Sequence, residues 1–541
     1  MKQFATIATI LGLLFLSTTM EAQDTALTKA LNKAEKLYKS YKYNAAIPYY
    51  EFYLEKEKKS KVLSVKTKLA YSYRMANKPT KAAAIYADLV EAPRVKPIIL
   101  FYYGETLMAS GKYAEAKNYF VKYETLKPDD KKVGAMIDAC NKVNTIQPYF
   151  VDIDIELADI NTEADEFSPI FYEDGIAFLS DQGANGKTYA WTGRPFLKLY
   201  KSTKTSNGRF VDTKNFSSKI NGYKKHTGPV SISRDGETLM ITRNSDVPTQ
   251  SNRFNLQIFE ATKKGENWTR GKVINICKPN KNYMHPALTP SGDTMYFVSD
   301  KGAGAGGTDI YMTYRTPKGW KRPKNLGDVI NTSGHEAFPF VHKDGTLYFA
   351  SKGHGGFGGF DIYKAERNAD GEFERVINVG EPINSPKDDT GFILDDKKES
   401  GYFASSRMAG NDDIYFFQNM GVAMKGNQLA YNSANPASLN MAKSARNIAG
   451  NAGKIQMAGK IIDAETGKAL TNVKVILETK KGIKLKELSV DGAGNVSGYV
   501  LKGETYVVSI QKIGYKNKST FIQIGENQNS IKPVFKLQKK K

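Results

Sequence analysis

Two sets of carboxylates recur along the chain at fixed offsets from proline, glycine and aromatic marks. Glu166, Glu336 and Asp388 each stand three residues before Pro169, Pro339 and Gly391, and Asp309, Asp361 and Asp413 each open an Asp-Ile-Tyr triplet. Carboxylates gathered from separate segments can act as acid and base on a glycosidic bond, or hold a cation. The local alternative is that an acid at the entry to a strand accepts hydrogen bonds from the amides of the loop before it. The first set is also interrupted, with His226 and Tyr283 at the two equivalent places. Both sets are therefore read as loop carboxylates, and the sequence assigns no catalytic residue, no cofactor and no metal ligand.

Other chemistry-bearing patterns reduce in the same way. Gly302, Gly304 and Gly307 spell GxGxxG, as do Gly353, Gly355 and Gly358. A dinucleotide site needs a helix next, whereas strand-like residues follow, Ile310 to Thr313 and Ile362 to Lys364. No Gly-x-Ser-x-Gly elbow and no His-Glu-x-x-His motif occurs. The five histidines, His226, His285, His335, His342 and His354, lack metal-ligand spacing. Cys140 and Cys277 are too few for a disulfide framework and read as small buried hydrophobes.

The elements that must position these groups are repeats. The Asp-Ile-Tyr triplets start 52 residues apart, a period that suits a four-stranded propeller blade. Five units align. Each opens with a turn, Phe167-Ser168-Pro169, Thr227-Gly228-Pro229, Met284-His285-Pro286, Ala337-Phe338-Pro339 or Asp389-Thr390-Gly391, and continues through a hairpin into an apolar strand. The alternating segment Phe150 to Leu157 is expected to close the ring by joining the last unit. A five-bladed β-propeller over 149–418 is the prediction.

Before it, residues 26–145 change to helical periodicity. Ala34, Ala70 and Gly104 stand 36 and 34 residues apart at the small-residue position of three helix pairs. Such a stack leaves a concave face for partner segments. Repeat position assigns Glu35, Tyr38, Lys39, Tyr71, Arg74, Met75, Glu105 and Met108 to that groove. After the ring, 419–454 is rich in Asn, Ala, Ser and Gly and reads as a flexible linker. Residues 455–541 read as seven short strands with turn signals, a C-terminal β-sandwich. The fold class is thus multidomain, α followed by all-β.

Residues 1–22 carry Lys2, an apolar run from Phe4 to Leu16 and a small residue at Ala22, the pattern of a secretory signal peptide. Lys and Arg number 78 against 56 acids, a net charge of +22. In an exported protein this excludes nucleic acid as the natural partner and favours an anionic envelope surface or acidic proteins.

The blade units, notably Phe349-Ala350-Ser351, Gly355-Gly356 and Asp361-Ile362-Tyr363, resemble TolB-like propeller repeats. Gly459-Lys460, Asp463, Thr466-Gly467, Leu470, Asp491, Gly494 and Gly514-Tyr515 resemble a carboxypeptidase regulatory-like domain. In this order, TPR, propeller and sandwich, the chain is similar to PorE-like periplasmic proteins of the type IX secretion and gliding machinery. That resemblance implies a periplasmic scaffold or adaptor, peripheral to the outer membrane, with PorP/SprF-like and other secretion or gliding proteins as partners. The usual OmpA-like domain does not follow, so peptidoglycan binding is not expected. On this reading the chain is not an enzyme. The alternatives are a propeller-based hydrolase or glycan-binding protein, and a secreted protein whose last domain directs sorting.

Overall fold

The computed structural model describes residues 25–419 and 454–539 apart from short interruptions, the longest at 58–61, 184–187, 250–253, 408–410, 480–483, 502–504 and 525–529. The expected signal peptide and nearly all of the expected linker lie outside the described residues. Two units are compact: one ends at Ala423 and the other begins at Met424.

The first unit opens with seven TPR-like helices: α1 over 25–39, α2 Tyr43–Lys56, α3 Val62–Met75, α4 Pro79–Val90, α5 Pro97–Met108, α6 Tyr113–Leu126 and α7 Lys131–Lys142. The three small residues of the repeat frame are all buried, and so are the rings they face: Tyr50, Tyr86 and Phe120 are 0 % exposed. Gly104 shows why the position is small, because a Cβ there would lie 2.5 Å from the Phe120 ring. Gly104→Ala is expected to lower stability by about 1–2 kcal/mol, overpacking outweighing the gain in helix propensity. A denaturant midpoint unchanged or raised would show that α5 and α6 have slack.

Five antiparallel sheets follow. Their first strands are Glu166–Tyr172, Thr227–Ile232, Tyr283–Leu288, Glu336–Val341 and Asp389–Leu394. Each first strand adjoins the first strand of the next sheet, and that of sheet 5 returns to that of sheet 1. Each neighbouring pair of sheets shares its own apolar cluster, the last being Ile176 and Phe178 with Ile393, Tyr402 and Ile414. The arrangement is propeller-like. Ile153–Leu157 completes sheet 5 by pairing with Asp413–Asn419, so the two ends of the region meet in one sheet. A second device recurs between strands. Asn161, Asn221, Asn331 and Asn384 each accept a backbone N–H and return a side-chain N–H to the same residue's carbonyl, at Ile414, Leu199, Ile310 and Ile362.

The expected opening turns are corrected. Pro169, Pro229, Pro286 and Pro339 lie inside the innermost strands, at a bulge that interrupts the register of all five, for example between Phe167 and Ile170. A bulge tolerates proline because its N–H is not needed in the ladder. Ser168, His285 and Phe338 take φ of 52, 50 and 46°, and Gly391 takes 59°. These bulges converge at the centre: Phe338 stacks on His285 at 4.2 Å and meets Phe167, from a non-adjacent sheet, at 6.4 Å.

The second unit departs from the expected seven-stranded sandwich. Its eight described strands pair continuously, in one order, rather than as two separate sheets. The strand Lys484–Val490 causes this, because it pairs with Lys474–Thr479 over most of its length and with Asn495–Leu501 at Ser489 and Val490. The long strand Lys454–Asp463 extends the order, antiparallel with Asn495–Leu501 on one side and parallel with Ser530–Ile531 and Val534–Leu537 on the other, around a core that includes Met457, Val475, Val496, Val508 and Ile510.

Candidate functional site

The acids that precede the bulges fall into two rings, not one. The leading residue of each first strand, Glu166, Thr227, Tyr283, Glu336 or Asp389, lies opposite Ser180, Arg243, Ser299, Ser351 or Ser405. Asp388 is therefore not the counterpart of Glu166 and Glu336; Asp389 is. Gly391 is the counterpart of Ser168, which shares its positive φ, and not of Pro169, so an offset counted from Gly391 is one residue out.

This inner ring is structural. Glu336 accepts from the Thr332 amide at 3.0 Å, the Thr332 hydroxyl at 2.7 Å and the Ser351 hydroxyl at 2.8 Å, and Glu166 does the same with Thr162 and Ser180. Burial outweighs those donors at Glu336 and pushes its pKa up to about 7. A raised folded pKa means stability that is fully present below the ordinary glutamate range and is lost as pH rises through about 7. Relative to Glu336→Gln, the native chain is thus expected to lose roughly 3 kcal/mol between pH 4.5 and 8. Parallel stability curves for the two proteins would contradict this.

The Asp-Ile-Tyr aspartates are also loop carboxylates where their bonds are visible. Asp309 accepts from the Ala305 amide, and Asp361 from those of Phe357 and Gly358. Glycines within these loops make room for them: a Cβ on Gly304, in the first GxGxxG, or on Gly356, inside the second, would strike the Asp309 or Asp361 carboxylate. The phosphate-loop pattern is a carboxylate-filled turn.

The outer ring comprises Asp165, His226, Asn282, His335 and Asp388, one step before each first strand. Four of them accept a backbone N–H from the preceding part of the ring: Asp165 from Asp412 at 3.1 Å, His226 from Leu197 at 3.1 Å, Asn282 from Leu256 at 2.8 Å and Asp388 from Phe360 at 2.8 Å. Between sheets 4, 5 and 1 this ring becomes a polar recess. Asp388 pairs with Lys352 at 2.9 Å and keeps 43 % of its side chain accessible. Asp165 pairs with Arg194 at 2.9 Å, and Arg194 also reaches Asp181 and Asn411.

Asp412 is half-buried in the same recess, and its carboxylate has no hydrogen-bond or ion-pair partner among the described residues. Burial, then the negative charges of Asp165, Asp388 and Asp413, push its pKa up to about 8 against the pull of Arg194. Asp388 is driven the other way. Burial alone would raise it, but Lys352, the Phe360 amide and Arg74 together hold it below the ordinary aspartate value. One carboxyl is protonated at neutral pH while its neighbour is ionised, which is the division of labour an acid–base pair requires. The sequence reading passed over Asp412; its one signal is the unbroken Asp412-Asp413 pair where the other two triplets are preceded by Thr308 and Phe360.

The helices face this recess. Arg74, which pairs with Glu105 at 2.8 Å and lies 4.4 Å over the Tyr102 ring, acts electrostatically on both Asp388 and His335. Of the other groove candidates, Glu35 bonds Lys68 and Tyr50, Tyr38 packs on Tyr71 at 6.0 Å, Lys39 is exposed, and Met108 is 1 % exposed. Met75 gives its carbonyl to the Trp191 indole N–H at 2.8 Å. Trp191, from sheet 1's long loop, also stacks on Tyr41 and meets Tyr43 edge-on at 5.0 Å, while its carbonyl accepts from the Asn44 amide. Part of the helical face is thus occupied by the chain's own ring.

The cysteines are half-buried rather than fully buried, and burial pushes their thiols up, Cys140 to about 11 and Cys277 to about 12. Among the described residues no cluster of three or more His, Cys, Asp or Glu is arranged to hold a metal, and no helix is long and apolar enough to cross a membrane.

No protein-family model and no curated protein matches the chain. Among solved structures it is similar to the Bombyx mori GH32 beta-fructofuranosidase, at 10 % identity over 75 % of this chain and 93 % of that one, TM-score 0.34. It is similar to a Mycobacterium tuberculosis puromycin-hydrolyzing peptidase at 9 % identity over 48 % of this chain and 37 % of that one, TM-score 0.27. The C-terminal TPR-containing domain of a Plasmodium falciparum FK506-binding protein matches at 19 % identity over 22 % of this chain and 90 % of that one, TM-score 0.20. The expectation that the chain is not an enzyme is corrected at this point: a puromycin-hydrolyzing peptidase, a puromycin hydrolase, a beta-fructofuranosidase and an alpha-L-arabinofuranosidase are among the solved structures it is similar to. A search for contiguous motifs misses carboxyls such as Asp388 and Asp412, which precede two different strands of one sheet.

Proposed function

We propose that the five sheets form a five-bladed propeller whose helix-facing recess binds and hydrolyses a glycan or peptide chain. In this reading Asp412 gives its proton to the leaving group, and ionised Asp388, steadied by Lys352, takes a proton from the attacking water. The observation that carries the reading is the opposed displacement of two accessible carboxyls within one recess. Arg74, from α3, supplies a cation at the rim, so the helices take part in recognition. Incubating the full chain with labelled oligosaccharides and peptides and following new reducing ends or amines tests it. Cleavage that survives removal of both carboxylates, or no cleavage of any member of either class, counts against it.

A second reading rests on a different observation, the docking of Trp191 between α2 and α3, which fixes helices and ring as one body. As a rigid composite of repeat modules the chain suits a scaffold or adaptor. With its basic charge and signal-like start, it is placed by this reading in the periplasm, peripheral to the outer membrane, with PorE-like proteins as its kin and type IX secretion or gliding proteins as its partners. Crosslinking in intact envelopes, followed by identification of the captured proteins, separates the two readings: recovery of outer-membrane secretion components favours the adaptor.

A further inference from the structure

The converging bulges leave a second cavity, of about 280 Å³, on the side of the ring away from the helices, bounded by the hairpin ends of the five first strands. Its walls are largely apolar, with Pro169, Pro229, Pro286, Pro339 and Phe340 among them. Its floor is not. Ser168 is 6 % exposed and its hydroxyl has no hydrogen-bond partner among the described residues. His285 accepts the Phe338 amide at Nδ1, 3.2 Å away, which puts its proton on Nε2, and burial pushes its pKa down to about 3. The neutral ring thus holds an N–H donor that has no described partner either. Both residues sit at positive φ. Strained backbone that aims unpaired donors into a cavity is a recurrent mark of a binding site. At the mouth, Arg234 is exposed and unpaired among the described residues, while Lys343 is matched by Asp396 at 3.0 Å.

We propose that this cavity binds a tyrosine side chain of a partner peptide that carries an acidic residue beside it. The ring packs against the prolines and Phe340, the phenol oxygen accepts from Ser168 and His285, and the acidic neighbour meets Arg234. The floor selects tyrosine over phenylalanine because an anchor without oxygen leaves two buried donors unpaired. The peptide groups on either side of the anchor stay at the mouth, so the site requires an extended or looped segment and not a folded surface. This inference is independent of the hydrolytic reading, which concerns the opposite side of the ring.

Calorimetric titration of the full chain with acetyl-Asp-Tyr-Asp-amide, acetyl-Asp-Phe-Asp-amide, acetyl-Lys-Tyr-Lys-amide and decanoate tests it. The acidic tyrosine peptide is expected to bind about tenfold more tightly than the phenylalanine peptide. Ser168→Gly, which suits the positive φ, is expected to erase most of that difference by weakening only the tyrosine peptide. Arg234→Glu, on an exposed turn, is expected to weaken both acidic peptides and leave the lysine peptide no weaker. No saturable binding of the tyrosine peptide, equal affinity for the two acidic peptides, or no response to both substitutions overturns the proposal. Binding of decanoate alone also overturns it and assigns the cavity to an acyl chain.

Discussion

Asp412→Asn is expected to lower the rate of bond cleavage by 10²- to 10⁴-fold, in the range of a lost general acid, with little effect on folding. The amide keeps the shape of the side chain but has no acidic proton to give. In the native chain the acid must be protonated, so cleavage should fall as pH rises through about 8, where Asp412 ionises. The base must be ionised, and Asp388 is held below the ordinary aspartate value, so the acid limb should lie below the range of an unperturbed aspartate. Removing Asp388 has two effects. Asp388→Asn abolishes the base, and it also removes one of the negative charges that raise Asp412, so the pKa of Asp412 should move down in that variant. The double variant should be no slower than the worse single one, because the two groups act as a unit. A pH profile without a limb near 8, or a fully active Asp412→Asn, would remove Asp412 from the mechanism.

Trp191→Ala should produce the largest structural effect of any substitution in the sheet 1 loop. The indole N–H bonds the Met75 carbonyl, one face stacks on Tyr41 and another edge meets Tyr43, so truncation removes a hydrogen bond and two ring contacts to the helical region, and with them the wedge between α2 and α3. For a half-buried tryptophan this amounts to about 2–3 kcal/mol. The loss falls on the junction, not on either core. Helical signal at 222 nm should then melt ahead of the ring's aromatic signal instead of with it, and Trp191→Phe, which keeps the stacking and loses the N–H, should fall between. A single coincident transition in Trp191→Ala would mean that the helices are held to the ring elsewhere, for instance where Gly355 packs on Ala139 of α7 and Gly380 on Pro148.

The parts of this fold that were legible in the sequence are those written as periods. The 52-residue spacing of Asp-Ile-Tyr gives the repeating sheets, and Ala34, Ala70 and Gly104 give the helix pairs, because each repeat must present the same small or aromatic residue to its neighbour. What the sequence hides is register and sharing. Prolines that look like strand openings sit inside strands, since a one-residue bulge lets the ladder continue around them. Sheet 5 departs by one residue at Gly391, which misplaced Asp388 among the structural acids when Asp389 fills that role. The eight described strands of the second unit join continuously because Lys484–Val490 pairs with one strand along most of its length and with another at its end, which no local signal announces.

The site was less legible for a physical reason. Asp412, Asp388, Lys352 and Arg74 come from separate segments, and what distinguishes Asp412 is the charge around it. A residue type and its neighbours in sequence do not carry that information. Glu336, by contrast, looked like a candidate acid and proves to be enclosed by three donors from its own hairpin and loop. An acid that is fully hydrogen-bonded and sealed from solvent stabilises the loop; one that is open to the recess and unpaired can exchange a proton.

The most direct measurement is the titration of the Asp412 carboxyl itself, followed by carbon-13 NMR in the intact chain and assigned by its loss in Asp412→Asn. The account predicts a midpoint near 8, moving down when Asp388 is replaced by asparagine. A midpoint in the ordinary aspartate range near 4, unchanged by that substitution, would contradict it.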